Sequence, residues 1–299
     1  PVAVKSGSTG PVVCAYSGGR GAYAEQAILR YYDGEATALA TANFREVADA
    51  VLDGRAGFGM LPIENSLAGS VYENYDNLAR YEDIEIVGEV TLRIEHSLLA
   101  IPGATLDGIE SVYSHPQGLA QCADFLSQHP HWKHIETDST SGAAEFVAAS
   151  ADKTKAAIAS ESAGTINRLV ALKSGIETNP RNYTRFVVIA RAGTVVSDSP
   201  NHASVIFTIA NEPGALYQAL GFFMTHGLNL TKLESRPIQG EPWRYLFYAN
   251  ISLPEGDPDD GQDAETVNGL GNRKNDAFLH TLHTDGVKVF DGSRRYVEA

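Results

Sequence analysis

Cysteine is scarce in this 299-residue chain, which has only Cys14 and Cys122. Neither lies in a Cys-x-x-Cys or a mixed Cys/His spacing, which argues against a disulfide framework and against a cysteine-based metal site. We therefore expect two reduced, buried thiols and a cytoplasmic protein. The start of the chain shows no signal-peptide pattern. No apolar run reaches the ~18 residues that a membrane span needs.

Basic residues are also fewer than acidic residues. The chain has 23 Lys and Arg residues against 37 Asp and Glu residues, and its formal net charge is -14. Nucleic acids and anionic membranes repel negative charge, so we expect neither as a partner. An anionic substrate would have to be bound by a local pocket, against the overall field of the protein.

The order of the predicted strands and helices indicates an α/β fold. At 299 residues, two domains are the natural expectation, and 43% hydrophobic content is ordinary for a globular protein. Strands are predicted at 12–16, 37–41 and 57–61, with helices at 22–32 and from Asn43 between them, and a further helix is predicted at 71–81. The βαβαβ order predicts a parallel sheet with helices on both faces.

The extended stretch from Ile84 to Ile101 is too long for one ordinary strand, and we interpret it as a crossover into a second lobe. In that lobe, strands are predicted at 111–113, 134–137 and 156–159, and helices at 117–127, 143–149 and 162–169. A strand at 182–189 would return the chain to the first lobe. Two lobes joined by two crossing strands are the architecture of periplasmic-binding-type proteins, with a ligand cleft at the hinge. We predict a catalytic domain over 11–192, with lobe one at 11–90 and 181–192 and lobe two at 91–180.

After a linker at 197–201, the pattern changes. Strands are predicted at 203–210, 229–237, 243–251 and 287–290, with helices at 215–226 and 276–283. This order indicates a ferredoxin-like βαββαβ layer over residues 202–299. We interpret the acidic, Gly-rich stretch at 254–275 as a flexible insertion.

The strand at 182–189 carries an unusual polar group. Its sequence begins Asn-Tyr-Thr-Arg-Phe and continues with Val-Val-Ile, which is typical of a buried strand. Because side chains alternate along a strand, Thr184 and Phe186 should share one face and Arg185 the other. Thr184 then places a hydroxyl where the strand enters the interior. The alternative is a core strand whose threonine bonds a neighbouring carbonyl.

Two polar clusters lie at the ends of strands. In Glu-Asn-Ser at 64–66, a carboxylic acid could donate to a departing hydroxyl if burial kept Glu64 protonated. The alternative is a capping cluster for the next helix. Ser-His-Pro-Gln at 114–117 opens the helix that carries Gln121, four residues after the glutamine at 117 and so on the same face. His115 is a candidate acid or base, although a histidine before a helix is more often a structural hydrogen-bonding group.

Hydroxyl side chains precede two further helices. Ser139, Thr140 and Ser141 come before an Ala-rich helix, and Ser160 comes before the next one. Free N–H groups at the start of a helix can bind carboxylates, and hydroxyl caps support them. Plain capping is the alternative, because most helices have a cap of this kind.

Tyr-Thr-Arg-Phe at 183–186 and Leu-Pro-Ile-Glu-Asn-Ser at 61–66 resemble the Thr-Arg-Phe and Pro-Ile-Glu-Asn motifs of prephenate dehydratases. That family decarboxylates and dehydrates prephenate to phenylpyruvate in L-phenylalanine biosynthesis, with no metal or organic cofactor. The resemblance implies that Thr184 donates to the leaving oxygen, with Glu64 as an alternative source of the proton. It implies that Asn65 and Gln121 position the substrate. The substrate-binding residues expected from it are Ser66, Ser139, Thr140, Ser141, Ser160, Arg185 and Phe186.

Gly-Ala-Leu at 214–216 and Glu-Ser-Arg-Pro at 234–237 resemble the motifs of ACT regulatory domains attached to prephenate dehydratases. The resemblance implies feedback by L-phenylalanine bound between the subunits of a homodimer or homotetramer. The residues expected to bind it are Gly214, Ala215 and Leu216 of one subunit and Asn229, Leu230, Glu234 and Ser235 of the other.

Two other functions stay open at this point. Arogenate dehydratase carries out the same chemistry on an amino substrate, and the segment at 71–78 has some likeness to plant enzymes of that kind. A non-catalytic amino-acid-binding sensor would share the two-lobed fold, but it would not need the pair of Glu64 and Thr184. The chain begins at Pro1 rather than Met. In the family that it resembles, a chorismate mutase domain is sometimes fused upstream.

Overall fold

A computed structural model describes residues 11–81, 83–194, 202–238, 240–252 and 288–289. The described residues group into two compact units. The first holds those of Thr9–Tyr75 and Glu89–Ile189, and the second those of Asp76–Gly88 and Ala190–Ala299. None of the helices in these ranges combines the length and the apolar composition that crossing a lipid bilayer requires.

Strands and helices alternate along the first part of the chain. The elements are β1 Val13–Ser17, α1 Tyr23–Tyr31, β2 Thr37–Thr41, α2 Phe44–Leu52, β3 Phe58–Asn65, β4 Gly69–Ser70, α3 Tyr72–Arg80 and β5 Ile84–Arg93. The start of α2 is fixed by its sequence, because Asn43 accepts from the Glu46 N–H at 3.0 Å while the Glu46 side chain reaches back to the Ala42 N–H at 3.1 Å.

The next elements build a second sheet and return to the first. They are β6 Ser97–Ala100, a 3₁₀ turn at Leu106–Gly108, β7 Ser111–Ser114, α4 Pro116–Gln121, α5 Ala123–Ser127, β8 Lys133–Glu136, α6 Thr140–Ser150, β9 Lys155–Ala159, α7 Glu161–Ile166, β10 Val170–Ser174 and β11 Tyr183–Arg191. The first sheet has the order β2-β1-β3-β11-β5, with β4 beside β3, and the second has the order β10-β6-β9-β7-β8.

The first sheet has the parallel pairing that the sequence predicts, since β1 pairs in parallel with both β2 and β3. The second sheet is mixed. Its strand β7 is parallel to β8 and β9, whereas β6 is antiparallel to β9 and to β10. The strand β10 was not predicted from the sequence.

Two chain segments cross between the sheets, as the sequence predicted. The first crossing segment, residues 94–96, joins β5 to β6, and the second, residues 175–182, joins β10 to β11. They are hydrogen-bonded to each other, because the Ile94 N–H donates to the Asn182 carbonyl at 2.8 Å and the Ile176 N–H to the His96 carbonyl at 3.1 Å. The first crossing segment also explains why the stretch from Ile84 to Ile101 forms two strands rather than one.

The prediction of one helix over 117–127 was wrong, because the helix is interrupted at Cys122. There the backbone leaves the helical region, with φ -110° and ψ 21°. The second crossing segment competes for the backbone groups: the Thr178 N–H donates to the Gln121 carbonyl at 2.8 Å, and the Thr178 hydroxyl accepts from the Asp124 N–H at 3.0 Å. Both groups would otherwise continue the helical ladder. The break therefore follows from tertiary structure that the local sequence does not contain.

Beside the end of α3 and the start of β5, the described residues of the second unit form a four-stranded antiparallel sheet and a further helix. The elements are β12 His202–Thr208, α8 Ala215–Thr225, β13 Asn229–Pro237, β14 Tyr245–Ser252 and β15 Lys288–Val289, in the strand order β13-β14-β12-β15. Val205, Phe207, Phe223 and Ile251 form the centre of its apolar core. The predicted insertion at 254–275 and the predicted helix at 276–283 lie outside the described residues.

Gly21, in the turn between β1 and α1, makes a close backbone contact with Ala163 of α7. Its φ of +83° is in the left-handed region, and a Cβ atom there would lie 2.4 Å from the Ala163 Cα atom. Gly34 has a similar φ of +82°, but a Cβ atom there would meet nothing within 4 Å. The two glycines thus differ in steric surroundings and not in backbone conformation.

We expect Gly34→Ala to lower the free energy of unfolding by about 1–2 kcal/mol, the usual cost of the left-handed conformation. Gly21→Ala should cost roughly 1–3 kcal/mol more, because its methyl group must displace the backbone at Ala163. Denaturant unfolding of both variants measures the difference. Equal losses would show that the contact at Gly21 is loose.

Candidate active site

A cavity of about 550 Å3 lies between the two sheets of the first unit. Its walls come from the carboxyl ends of β1 and β3, from the start of β11 and from α4 and the first residue of α6. In open α/β sheets this edge is the usual place for a ligand. The polar lining residues are Ser17, Tyr23, Asn65, Ser70, His96, His115, Gln117, Gln121, Thr140 and Thr184. No lining residue in the described part of the chain carries a carboxylate, a guanidinium or an ammonium group.

Thr184 and Asn65 lie side by side in the wall of this cavity. They are 9% and 7% exposed. The Asn65 Nδ2 group donates to Thr184 Oγ1 at 3.0 Å. The hydroxyl oxygen therefore acts as an acceptor, and its own hydrogen has no described acceptor within the protein. A substrate oxygen in the cavity can receive it.

The orientation of the Asn65 amide follows from the backbone. The N–H groups of Leu67 and Ala68 donate to Asn65 Oδ1 at 3.0 and 2.9 Å. A backbone N–H can only donate, so this end of the amide must be its oxygen. The NH2 end then points to Thr184 and also donates to Asn182 Oδ1 at 2.7 Å, with the Tyr183 carbonyl as a third acceptor at 3.1 Å.

The same reasoning extends to Gln121. Because Asn182 Oδ1 accepts from Asn65, the Asn182 NH2 group is the end that faces Gln121, and it donates to Gln121 Oε1 at 2.9 Å. His96 Nε2 lies 2.8 Å from that same oxygen. The Gln121 NH2 group has no acceptor among the described residues, and the side chain lines the cavity. It is a second hydrogen-bond donor for a bound ligand.

His96 joins this chain of hydrogen bonds to Tyr23. The imidazole is 1% exposed, and its Nδ1 atom lies 2.9 Å from the Tyr23 hydroxyl, which also reaches the Glu95 carbonyl at 2.6 Å. Burial lowers the pKa of His96, although the hydrogen bond to Gln121 and the charge of Glu177 act in the opposite direction. Burial likewise raises the pKa of Tyr23. Two neutral groups are therefore expected at neutral pH.

Glu64 does not line the cavity. Its Oε2 atom lies 2.8 Å from Arg185 Nη2, and Arg185 Nη1 lies 3.7 Å from Glu89 Oε2. Phe186, two residues after Thr184, does line the cavity and is 2% exposed. The strand thus alternates, with Thr184 and Phe186 towards the cavity and Arg185 towards an ion pair.

The serines expected to bind substrate differ in position. Ser66 is exposed and bonds the chain at 181–183, donating to the Arg181 carbonyl and accepting from the Tyr183 N–H, both at 3.0 Å. Ser160 is buried and donates to the Gly21 carbonyl at 2.7 Å. Neither lines the cavity, and both make structural contacts between segments that are distant in sequence.

Around the start of α6, only Thr140 lines the cavity. Ser139 is the cap of the helix, since its hydroxyl accepts from the Gly142 N–H at 3.0 Å. Ser141 is 2% exposed, with its hydroxyl 3.5 Å from that of Ser139. The helix begins at Thr140 rather than at the predicted Ala143, because the serine cap includes these residues in the first turn.

Sequence reasoning missed three residues of the hydrogen-bond network, as well as Ser17 and Ser70 of the cavity lining, and left the role of one residue open. His96, Tyr23 and Asn182 were not candidates, and the role of His115 stayed uncertain. His115 lines the cavity as the cap of α4, where its Nδ1 atom accepts from the Gln117 N–H at 3.2 Å. His96 stands between Glu95 and Ser97, and Asn182 follows Arg181, so both lie among other polar residues and the local sequence does not reveal their partners.

The residues expected to bind an effector lie on α8 and β13 of the second unit. Gly214 is the cap of α8, with φ +87°, and Ala215 and Leu216 form its first turn. On β13, the edge strand of the sheet, Asn229 donates to Ser252 Oγ at 3.3 Å. The other positions expected on β13 are Leu230, Glu234, which pairs with Lys232 at 3.4 Å, and Ser235.

Both thiols are buried away from the chemistry of the cavity. Cys14 and Cys122 are each 0% exposed and unpaired. Burial raises the pKa of Cys122 to about 12, with a further contribution from Glu177, and it raises the pKa of Cys14 as well. Across the described residues, no group of three or more His, Cys, Asp and Glu side chains has the arrangement of a metal site.

Comparison with known proteins points to one family. Residues 14–194 match the family model described as prephenate dehydratase. The chain is 40% identical over 243 residues to the bifunctional chorismate mutase/prephenate dehydratase of Escherichia coli (strain K12), an alignment that covers 79% of this chain and 62% of that protein. It is 38% identical over 284 residues to arogenate dehydratase 2 of Petunia hybrida, which covers 90% of this chain and 70% of that protein. The chain thus spans less than two thirds of the length of the bifunctional relative.

Solved structures agree with this comparison in their fold. The prephenate dehydratase of Arthrobacter aurescens in complex with L-Phe superposes with a TM-score of 0.78 at 26% identity, covering 93% of this chain and 89% of that one. GqqA, described as a novel type of quorum quenching acylase, superposes with a TM-score of 0.73 at 34% identity, covering 83% of this chain and 88% of that one.

We expect the native protein to be inert to a thiol reagent such as DTNB at mildly alkaline pH. The thiolate is the reactive form, and a raised pKa keeps both buried thiols protonated there. After unfolding in denaturant, both cysteines should react. The release of the chromophore measures the labelling of the native and of the unfolded protein. Fast labelling of the native protein would contradict the burial of the two cysteines.

Proposed function

Because this chain belongs to the prephenate dehydratase family, we propose that it converts prephenate to phenylpyruvate with loss of CO2 and hydroxide. The observation that carries the proposal is the pair of hydrogen-bond donors, Thr184 and Gln121, which line one cavity and have no described acceptor for their hydrogens. The bond to the ring carboxylate breaks, and its electron pair enters the ring. The bond to the hydroxyl breaks at the opposite side of the ring, and the departing oxygen takes that bond's pair.

Thr184 is proposed to donate a hydrogen bond to the departing oxygen, which leaves as hydroxide. Aromatisation of the ring makes the reaction strongly favourable, so the protein has to orient the substrate and stabilise the negative charge that leaves. The hydrogen bond from Asn65 to Thr184 Oγ1 strengthens the hydroxyl as a donor, because chains of hydrogen bonds polarise one another. We assign the donor role to Thr184 rather than to Glu64, whose side chain is held by Arg185 away from the cavity lining.

Gln121 is proposed to hold an oxygen of the substrate. Its NH2 group is the only end of the amide that can face a ligand, since its oxygen already accepts from His96 and Asn182. Thr140, at the first turn of α6, can add the free N–H groups of a helix start to the binding of a carboxylate. Neutral donors of this kind bind an anion without adding charge to the cavity.

The absence of charge in the described lining favours prephenate over arogenate. Arogenate carries an ammonium group where prephenate has a keto oxygen. A buried ammonium group needs a carboxylate or several acceptors, and burial without them is costly. The described lining offers neither an aspartate nor a glutamate. The keto substrate is therefore the better fit.

Amide hydrolysis, the activity in the name of GqqA, has less support. It requires a nucleophile with a general base within hydrogen-bond reach. The described partner of Thr184 Oγ1 is the Asn65 NH2 group, which is a donor and cannot take a proton. The thiols of Cys14 and Cys122 are buried, with pKa values raised by that burial.

We further propose that residues 11–192 form the catalytic domain and residues 202–299 an ACT domain that binds L-phenylalanine. The strand order β13-β14-β12-β15, with α8 between β12 and β13 in the chain, supports a ferredoxin-like layer. The L-Phe complex of the Arthrobacter aurescens enzyme supports the choice of effector. Since β13 is an edge strand, pairing with a second copy would cover it, which supports a homodimer or homotetramer.

Purified protein should form phenylpyruvate from prephenate without added metal, and with a higher kcat/KM than for arogenate. Thr184→Ala should lower kcat roughly 10²-fold or more, the scale of a positioned proton donor, whereas Thr184→Ser should lose less because the hydroxyl remains. Phenylpyruvate absorbance measures both. A near-normal kcat for Thr184→Ala would make Thr184 a structural residue, and no turnover of either substrate would favour a sensor.

L-Phenylalanine should inhibit turnover through a coupling of ~1–3 kcal/mol, which corresponds to roughly 5- to 150-fold in affinity. Ser235→Ala should abolish the inhibition and leave basal turnover intact. Thr231→Ala, on the same strand but outside the expected contacts, is the matched control and should stay sensitive. The measurements are phenylalanine titration and mass in solution. A monomer that ignores phenylalanine would refute the regulatory proposal.

A further inference from the structure

His96 is placed at the point where the first crossing segment enters the second sheet. Its backbone is held on both sides, because its N–H donates to Glu177 Oε2 at 3.1 Å and its carbonyl accepts from the Ile176 N–H at 3.1 Å. Glu177 is itself fixed by Arg93 Nη2, 3.3 Å from its other oxygen. The imidazole therefore projects into the cavity wall from a rigid position.

The hydrogen-bond pattern determines which ring nitrogen carries a hydrogen. The Gln121 atom facing His96 must be the amide oxygen, since Asn182 donates to the same atom. An oxygen can only accept, so His96 Nε2 must be the donor. In the neutral imidazole this leaves Nδ1 as an acceptor. The Tyr23 hydroxyl lies 2.9 Å from it and shares its one hydrogen between Nδ1 and the Glu95 carbonyl, which is 2.6 Å away.

We propose that His96 is a positioning residue for the reaction proposed above: its Nε2–H group holds the Gln121 oxygen, so that the Gln121 NH2 group faces the substrate. Asn182 alone would leave the amide with one anchor. With two donors on one oxygen, rotation of the amide by half a turn would set its NH2 group against both of them. The backbone of Gln121 is held by the same region, through its carbonyl and the Thr178 N–H.

Protonation of His96 would leave this contact in place. The second hydrogen would go to Nδ1, where the Tyr23 oxygen can accept it, and Nε2–H would continue to donate to Gln121. Glu177 from the second crossing segment acts on the ring itself, and Cys122 after α4, Glu177 and Glu95 act on its neighbour Tyr23. Burial lowers the pKa of His96, so the neutral form is expected at neutral pH.

A double-mutant cycle on kcat/KM for prephenate tests whether His96 acts through Gln121. We expect His96→Leu to lower kcat/KM about 10- to 100-fold in the wild-type background, and less than about threefold when Gln121→Ala is already present. His96→Gln should recover most of the loss, because its NH2 group can reach the same oxygen. His131→Gln, at an exposed histidine of the same sheet region, is the matched control. Equal losses in both backgrounds would overturn the proposal.

A second measurement needs neither substrate nor activity. In nuclear magnetic resonance spectra of protein with isotope-labelled histidine, His96 is identified by the signal missing from His96→Gln. We expect a neutral ring with hydrogen on Nε2 and none on Nδ1. Hydrogen on Nδ1 alone would refute the proposal even if the wild type turns over prephenate. The expected tautomer in a protein without turnover would refute the proposed function while the local argument for His96 stands.

Discussion

Two backbone N–H groups, those of Leu67 and Ala68, determine the orientation of the side-chain amides at the end of β3. Both donate to Asn65 Oδ1, and every later assignment in the network follows from that constraint. Asn65 must then donate to Thr184 and to Asn182. A site built from asparagine and glutamine side chains would otherwise be ambiguous, because each amide can rotate by half a turn at little cost. Anchoring the first one to the backbone removes that freedom.

The described lining of the cavity is neutral, although the whole chain has a net charge of -14, and this neutrality affects how the site can stabilise a transition state. A fixed cation that bound the carboxylates of the substrate and of the transition state equally well would not by itself accelerate the chemical step. Neutral donors aimed at the leaving oxygen stabilise charge that develops only as the bond breaks. Asn65 and Thr184 are 7% and 9% exposed, and a hydrogen bond between such buried groups is stronger than it would be in solution.

The sequence allowed the two-lobed fold and part of the site to be predicted. Thr184 and Asn65 were accessible because each ends or begins a strand that is otherwise apolar, and Gln121 was accessible through the family motif. His96 and Asn182 could not be predicted, because their roles depend on contacts with Gln121, which is 25 and 61 residues away from them in sequence. The break at Cys122 was missed for a similar reason: the competing group, Thr178, belongs to another segment. The ion pair of Arg185 with Glu64 joins two strands, and neither motif alone reveals it.

The two crossing segments have a mechanical consequence for the network. Asn182 and His96 lie on these segments, and Gln121 is bound to them through its carbonyl. In a hinged body, points at the pivot barely translate, whereas points far from it sweep the largest arcs. A swing of one sheet against the other would therefore move the lining residues far from the crossing segments most, while Gln121, His96 and Asn182 would keep their spacing. The cavity could thus open for a ligand without changing the distances among the hydrogen-bonded groups at the crossing segments.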